Sequence, residues 1–158
     1  MKPKVYIETS IPSYLTARNT NDIRAAANQN TTIEWWETKR QEFDLYISEF
    51  VIAEASRGHP EAAARRMNAI KDFPELEATL EVKELSGKLI AEGALPKRAE
   101  LDAYHIAIAT IHGIDYLLSW NCTHIANAVM RPRIEGICRK YNFEAPIICT
   151  PQELMGGS

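Results

Sequence analysis

Four polar residues stand out because of their apolar surroundings. Glu8 closes a strand-like run at residues 4–8, and Glu54 sits among Val51, Ile52 and Ala55. Asp102 lies near the start of a helical pattern at 97–112, and Asn121 directly follows a strand-like run at 116–120. A carboxylate placed among apolar side chains is costly unless something partners it. Carboxylates gathered together repel, and a cation relieves that repulsion. Three acids and an amide oxygen make a hard-oxygen set, which suits Mg²⁺ or Mn²⁺ and not zinc. Such an ion can activate water and stabilise displacement at phosphorus, so the reaction class is phosphodiester hydrolysis. The expected catalytic set is therefore Glu8, Glu54, Asp102 and Asn121, with Glu8, Asp102 and Asn121 as metal ligands. His105 and His124 are expected to support it, and Arg18, Arg57, Lys97 and Arg98 to grip phosphates.

Each residue also has a plainer reading. Asp102 favours the positive end of a helix dipole whether or not it binds metal. Glu54 could face solvent. His105, one turn beyond Asp102, suits a hydrogen-bonded core position better than a ligand. The four cations could be ordinary solvated charges.

The elements that must position these residues alternate. Strands are expected at 4–8, 44–48, 76–82, 116–120 and 146–149. Helices are expected at 22–43, 49–57, 60–72, 84–92, 97–112 and 133–141, with a last turn at 151–154. Thr9, Ser10 and Pro12 mark a strand-to-helix turn. Ser48 can cap the helix after the second strand, Gly58 can stop it, and Pro60 can open the next. In the 22–43 helix, Ile23, Ala26, Ala27, Ile33, Trp36 and Phe43 are the expected buried positions. Strand–helix alternation predicts an α/β fold, a parallel sheet covered on both faces. In such a sheet, ligands gather outside the carboxyl ends of the strands, which is where these polar residues fall. No linker or repeat interrupts the pattern, so residues 1–155 are expected to form one domain, with 156–158 a flexible tail.

Bulk properties narrow the class. The chain has 158 residues and a net charge of -3. It therefore has no global attraction for nucleic acid, and RNA binding would need a local basic patch. Three cysteines at long spacings fit free thiols in a reducing cytoplasm and argue against a disulfide framework or a zinc site. No 18-residue apolar run occurs, so no membrane span is expected. The glycine-rich fingerprints of dinucleotide- and nucleotide-binding folds are missing from the sequence, which disfavours a flavodoxin- or Rossmann-type protein.

The segments V-Y-I-E-T-S-I-P-S-Y-L (5–15), S-E-F-V-I-A-E-A (48–55), L-D-A-Y-H-I-A-I-A (101–109) and L-L-S-W-N-C-T-H-I (117–125) resemble the four motif regions of PIN-domain proteins, the VapC-type toxin ribonucleases in particular. The resemblance extends from Val5 to about Ile148. It implies a three-layer α/β/α sandwich around a five-stranded parallel sheet, Mg²⁺ or Mn²⁺ dependence and endoribonuclease activity, with the Ser10 and Ser119 hydroxyls supporting the site and RNA as the source of the phosphates gripped by Arg18, Arg57, Lys97 and Arg98. It also implies an antitoxin partner and a homodimer. The chain departs from the pattern at two positions, having Glu8 and Asn121 where the family usually has aspartate. The longer Glu8 side chain moves its carboxylate outward by about one bond length, and Asn121 removes one negative charge, which lowers metal affinity. These departures leave an alternative, a PIN-like module with weakened cleavage that binds RNA or a protein partner.

Overall fold

Val5, Tyr6 and Ile7 are fully buried, so the strand they form is covered on both faces. This strand, β1 (Lys4–Ile7), is central in a five-stranded sheet of order β3-β2-β1-β4-β5. Its partners are β2 (Asp44–Ser48), β3 (Glu75–Leu76), β4 (Tyr116–Leu118) and β5 (Ile147–Cys149). Every pairing is parallel, with Tyr6 opposite both Tyr46 and Leu117. Apolar runs without alternation are what a sheet buried on both sides requires. A computed structural model describes residues 1–156; Gly157 and Ser158, most of the expected tail, lie outside the described residues.

Among the described residues, seven α-helices complete the fold: α1 (Ser10–Thr16), α2 (Ile23–Thr38), α3 (Glu49–Ala55), α4 (Pro60–Ile70), α5 (Leu80–Ala91), α6 (Glu100–Ile111) and α7 (Met130–Lys140). α1 packs against α2 and α4, while α5 packs against α6 and α7. The result is a three-layer, PIN-like α/β/α sandwich. Side-chain caps set several helix starts: Asp22 accepts from the Ala25 amide, Ser48 from Phe50, and Thr79 from Val82. Gly58, at φ +87°, follows α3 in a conformation that L side chains rarely adopt.

Three local expectations need correction. The third strand is not 76–82 but two residues, Glu75–Leu76; Thr79 caps α5, and Leu80 to Val82 form its first turn. The β-branched and apolar content of that stretch signalled a strand, but a local cap overrode it. The buried stripe of α2 is Gln29, Thr32 and Trp35, while Ile23 is exposed. Polar anchors set that phase: Gln29 donates to the Ala17 carbonyl at 2.5 Å, and the Trp35 indole to the Leu154 carbonyl at 3.1 Å. The turn after β1 is a full short helix, α1.

Candidate functional site

The ladder continues one residue beyond β1 and β4. The Glu8 amide donates to the Leu118 carbonyl at 3.2 Å, and the Ser119 amide to the Cys149 carbonyl at 3.0 Å. Glu8 and Ser119 are thereby fixed side by side at the carboxyl edge, and both are buried. Glu8 Oε1 accepts from Ser10 Oγ at 2.5 Å and from Ser119 Oγ at 2.6 Å. The same two hydroxyls accept the amides of Trp120 at 2.8 Å and Asn121 at 2.9 Å. Ser10 and Ser119 therefore lock one carboxylate oxygen and the backbone of the following loop together.

Glu54 comes from the last turn of α3. Its Oε1 accepts from Thr9 Oγ1 and pairs with His105 Nε2, each at 2.6 Å. Glu8, Glu54 and His105 bring ligand atoms within 4.8 Å of one another. Burial opposes ionisation of Glu54, but the His105 bond and charge, the Thr9 bond and Arg57 hold its carboxyl below the usual range. Burial also disfavours a charged His105, yet the Glu54 bond and the charges of Glu8, Glu54 and Asp102 raise its pKa. Burial pushes the Tyr6 phenol well up, so it stays protonated.

Asp102, in the first turn of α6, belongs to an adjoining cluster. Its Oδ1 accepts from Asn121 Nδ2 at 3.0 Å, and its Oδ2 pairs with His124 Nδ1 at 2.9 Å. Asn121 Oδ1 in turn accepts the His124 amide at 3.1 Å. Asn121, expected as a ligand, thus has both ends of its amide engaged inside the protein. Asp102, also an expected ligand, has both oxygens engaged and stands outside the Glu8–Glu54–His105 group. His105 joins that group instead. The physical reason is the asparagine: its NH₂ gives Asp102 a neutral donor where a second carboxylate would have needed a cation.

Among the expected phosphate-gripping residues, Arg57 has a charge that reaches Glu54. Arg18 is exposed and pairs with Glu61 at 3.5 Å on the α1–α4 side. Lys97 and Arg98 are exposed in the short turn before α6. Sequence reasoning misses Tyr6 and Thr9. A signal for Tyr6 was available, since a phenol in a fully apolar strand must find a partner for its hydroxyl. Thr9 carried no signal beyond its place next to Glu8.

The donor chemistry fits a hard divalent ion at Glu8 and Glu54. In each carboxylate Oε1 carries the hydrogen bonds, and Oε2 has no partner among the described residues. Two anchored carboxylates that each keep one oxygen free match the requirements of an oxygen-ligand cation site.

Two of the solved structures that share this fold illustrate it. One is Mycobacterium tuberculosis VapC20, a sarcin-ricin loop cleaving toxin, with 17% identity, 76% of this chain and 92% of that chain covered, and a TM-score of 0.56. The other is VapBC2 from Rickettsia felis, bound to a DNA fragment from their promoter, with 15% identity, 93% and 98% covered, and a TM-score of 0.58. At these identities the likeness is one of fold: the chain has the PIN-like fold that VapC toxins have. No protein-family model matches the sequence, and no curated protein matches it. Among the described residues, no helix is long and apolar enough to cross a membrane.

Proposed function

We propose that this chain is a divalent-metal-dependent endoribonuclease that hydrolyses RNA phosphodiester bonds, and the toxin of a toxin–antitoxin pair. One observation carries the reading: Glu8 and Glu54, from distant segments, meet at the carboxyl edge of β1, each with one oxygen anchored and one free. The VapC likeness of the fold supports it. Glu8 and Glu54 would hold Mg²⁺ or Mn²⁺, which supplies a water of lowered pKa and charge stabilisation at phosphorus when bound. Ser10, Ser119 and Thr9 orient the two carboxylates. Asp102, Asn121 and His124 tie α6 to the loop after β4 and set the wall of the site nearest Asp102. Arg57, the cation that reaches Glu54, is placed to attract a phosphate, and Arg18, Lys97 and Arg98 extend the reading to the flanking backbone. In this reading residues 1–155 act as one domain, as a homodimer in the cytoplasm, held in check by an antitoxin.

A second reading, a module that binds RNA or a protein without cleaving it, is favoured by the closed hydrogen bonding of Asp102 and Asn121. A cleavage assay separates the two. Structured and single-stranded RNA are incubated with Mn²⁺ or Mg²⁺ and with wild type, Glu54→Gln or Asp102→Asn. Ion-dependent cleavage that both substitutions abolish supports the nuclease. No ion-dependent cleavage by wild type, with RNA still bound, supports the module.

A further inference from the structure

We propose that Tyr6 and His105 are positioning residues for Glu54: a buried hydrogen-bond relay starting at the cap of α3 fixes which imidazole nitrogen carries the proton, and so holds the free Glu54 oxygen ready for a cation. This inference rests on the metal-site reading given above and assigns the means by which one of its ligands is aimed.

Each link is short and shielded from water. Ser48 Oγ accepts the Phe50 amide at 3.2 Å and lies 2.7 Å from the Tyr6 hydroxyl. The Tyr6 hydroxyl lies 2.6 Å from His105 Nδ1, and His105 Nε2 lies 2.6 Å from Glu54 Oε1. Ser48, Tyr6 and His105 are each fully buried. One order of protons satisfies every group. Ser48 donates to Tyr6, Tyr6 donates to Nδ1, and the single ring proton sits on Nε2, from which it donates to Glu54. Moving that single proton to Nδ1 would turn Tyr6 into an acceptor there and send the Tyr6 proton back to Ser48. The Ser48 hydroxyl would then have no acceptor, a costly loss in a buried network.

The relay does more than fill space. A neutral imidazole has one donor and one acceptor nitrogen, and the partner of one nitrogen decides the role of the other. With Tyr6 donating to Nδ1, Nε2 must donate, which pins Glu54 Oε1 and keeps Oε2 away from the ring. Without the phenol hydroxyl Nδ1 loses the donor that holds it, and the Glu54 carboxylate alone is left to favour a proton on Nε2. In the fraction of rings protonated at Nδ1, the Nε2 lone pair faces a carboxylate oxygen at 2.6 Å, and Glu54 has to turn away. Partners of this kind, one bond removed from a ligand, typically change metal affinity by about 10–100-fold.

The test uses Tyr6→Phe, which conserves volume, in the full chain at a pH where His105 carries one ring proton. Nitrogen-15 NMR reads the His105 tautomer, and calorimetry with Mn²⁺ alone reads affinity. Thr110→Val, which removes a buried hydroxyl outside the relay, controls for simple loss of a buried hydrogen bond. The expected result is a wild-type ring protonated at Nε2, a mixture of tautomers in Tyr6→Phe, and Mn²⁺ affinity lowered about tenfold, with Thr110→Val near wild type. A folded Tyr6→Phe protein that keeps the Nε2 tautomer, or that changes tautomer with unaltered Mn²⁺ affinity, overturns the proposal. A wild type that binds no Mn²⁺ refutes the metal-site reading instead, while the tautomer measurement still decides whether Tyr6 sets the ring.

Discussion

Glu8→Gln should make the metal-free protein more stable, although it alters a buried residue at the centre of the site. The carboxylate oxygens of Glu8 and Glu54 lie no more than 4.8 Å apart. Two unit charges at that separation repel by about 3.5 kcal/mol at an effective dielectric of about 20, and by about 0.9 kcal/mol in water. An amide at position 8 keeps an oxygen to accept from Ser10 and Ser119 and places an NH₂ toward Glu54. The hydrogen bonds survive and the repulsion goes, so the expected gain is about 1–3 kcal/mol. For a chain of this size that raises Tm by about 3–9 °C. The assay is thermal unfolding in chelator and again with Mn²⁺ in excess. In chelator the variant should melt above wild type. With Mn²⁺ the wild type should rise, because an ion that binds only the folded state stabilises it, and the variant should not move. A variant that melts below wild type in chelator would refute the claim that Glu8 and Glu54 repel each other across this site.

Further outcomes follow from the same geometry. His105 has a raised pKa, so its stabilising charge is fully present below its ordinary value near 6.5 and is lost as pH rises through the raised value. Glu54 has a lowered pKa, so its contribution is present above about 4.5 and is lost as pH falls through the lowered value. Metal-free Tm should therefore peak on the acid side of neutrality, and His105→Gln should flatten its alkaline limb; a profile unchanged in that variant would contradict the assignment. Asn121→Asp sets a carboxylate against Asp102 across a 3.0 Å contact, so it should lower metal-free Tm and strengthen Mn²⁺ binding in calorimetry. Burial pushes the Cys149 thiol up to about 12 and raises Cys138, whereas Cys122 is exposed. A thiol-reactive probe at pH 8 should label one cysteine per folded chain, read by mass spectrometry, and three after denaturation.

Much of the architecture could be read from the sequence because cap and period agree. Ser48 before Glu49, Gly58 beyond α3 and Pro60 at the start of α4 mark helix bounds through local chemistry, and the apolar runs of β1 and β4 mark strands buried on both faces. Leu76 to Val82 was misread because its composition suits a strand while Thr79, a single hydroxyl, decides otherwise. The phase of α2 was misread for a longer-range reason: Gln29 is buried for the sake of a carbonyl at Ala17, and Trp35 for one at Leu154, a residue 119 positions away. The acids of the site were legible because a carboxylate in an apolar run needs a reason to be there. The grouping was not. That Asn121 closes upon Asp102 while His105 turns to Glu54 depends on how α6 is rotated against β1 and α3, and no local pattern encodes that rotation.

The sheet order has a consequence for synthesis. β1 is flanked on one side by β2 and on the other by β4, and the Ser119–Glu8 bond joins residues 111 positions apart. At about 5–20 residues per second, the strand bearing Glu8 leaves the ribosome roughly 5–20 seconds before the serine that anchors it. For the later part of that interval, after Glu54 has followed Glu8, the nascent chain carries both glutamates without the strand that completes their pocket. For a chain with the proposed activity this is a built-in delay. The pocket is complete only once β4 slots in beside β1 and Ser119 reaches Glu8.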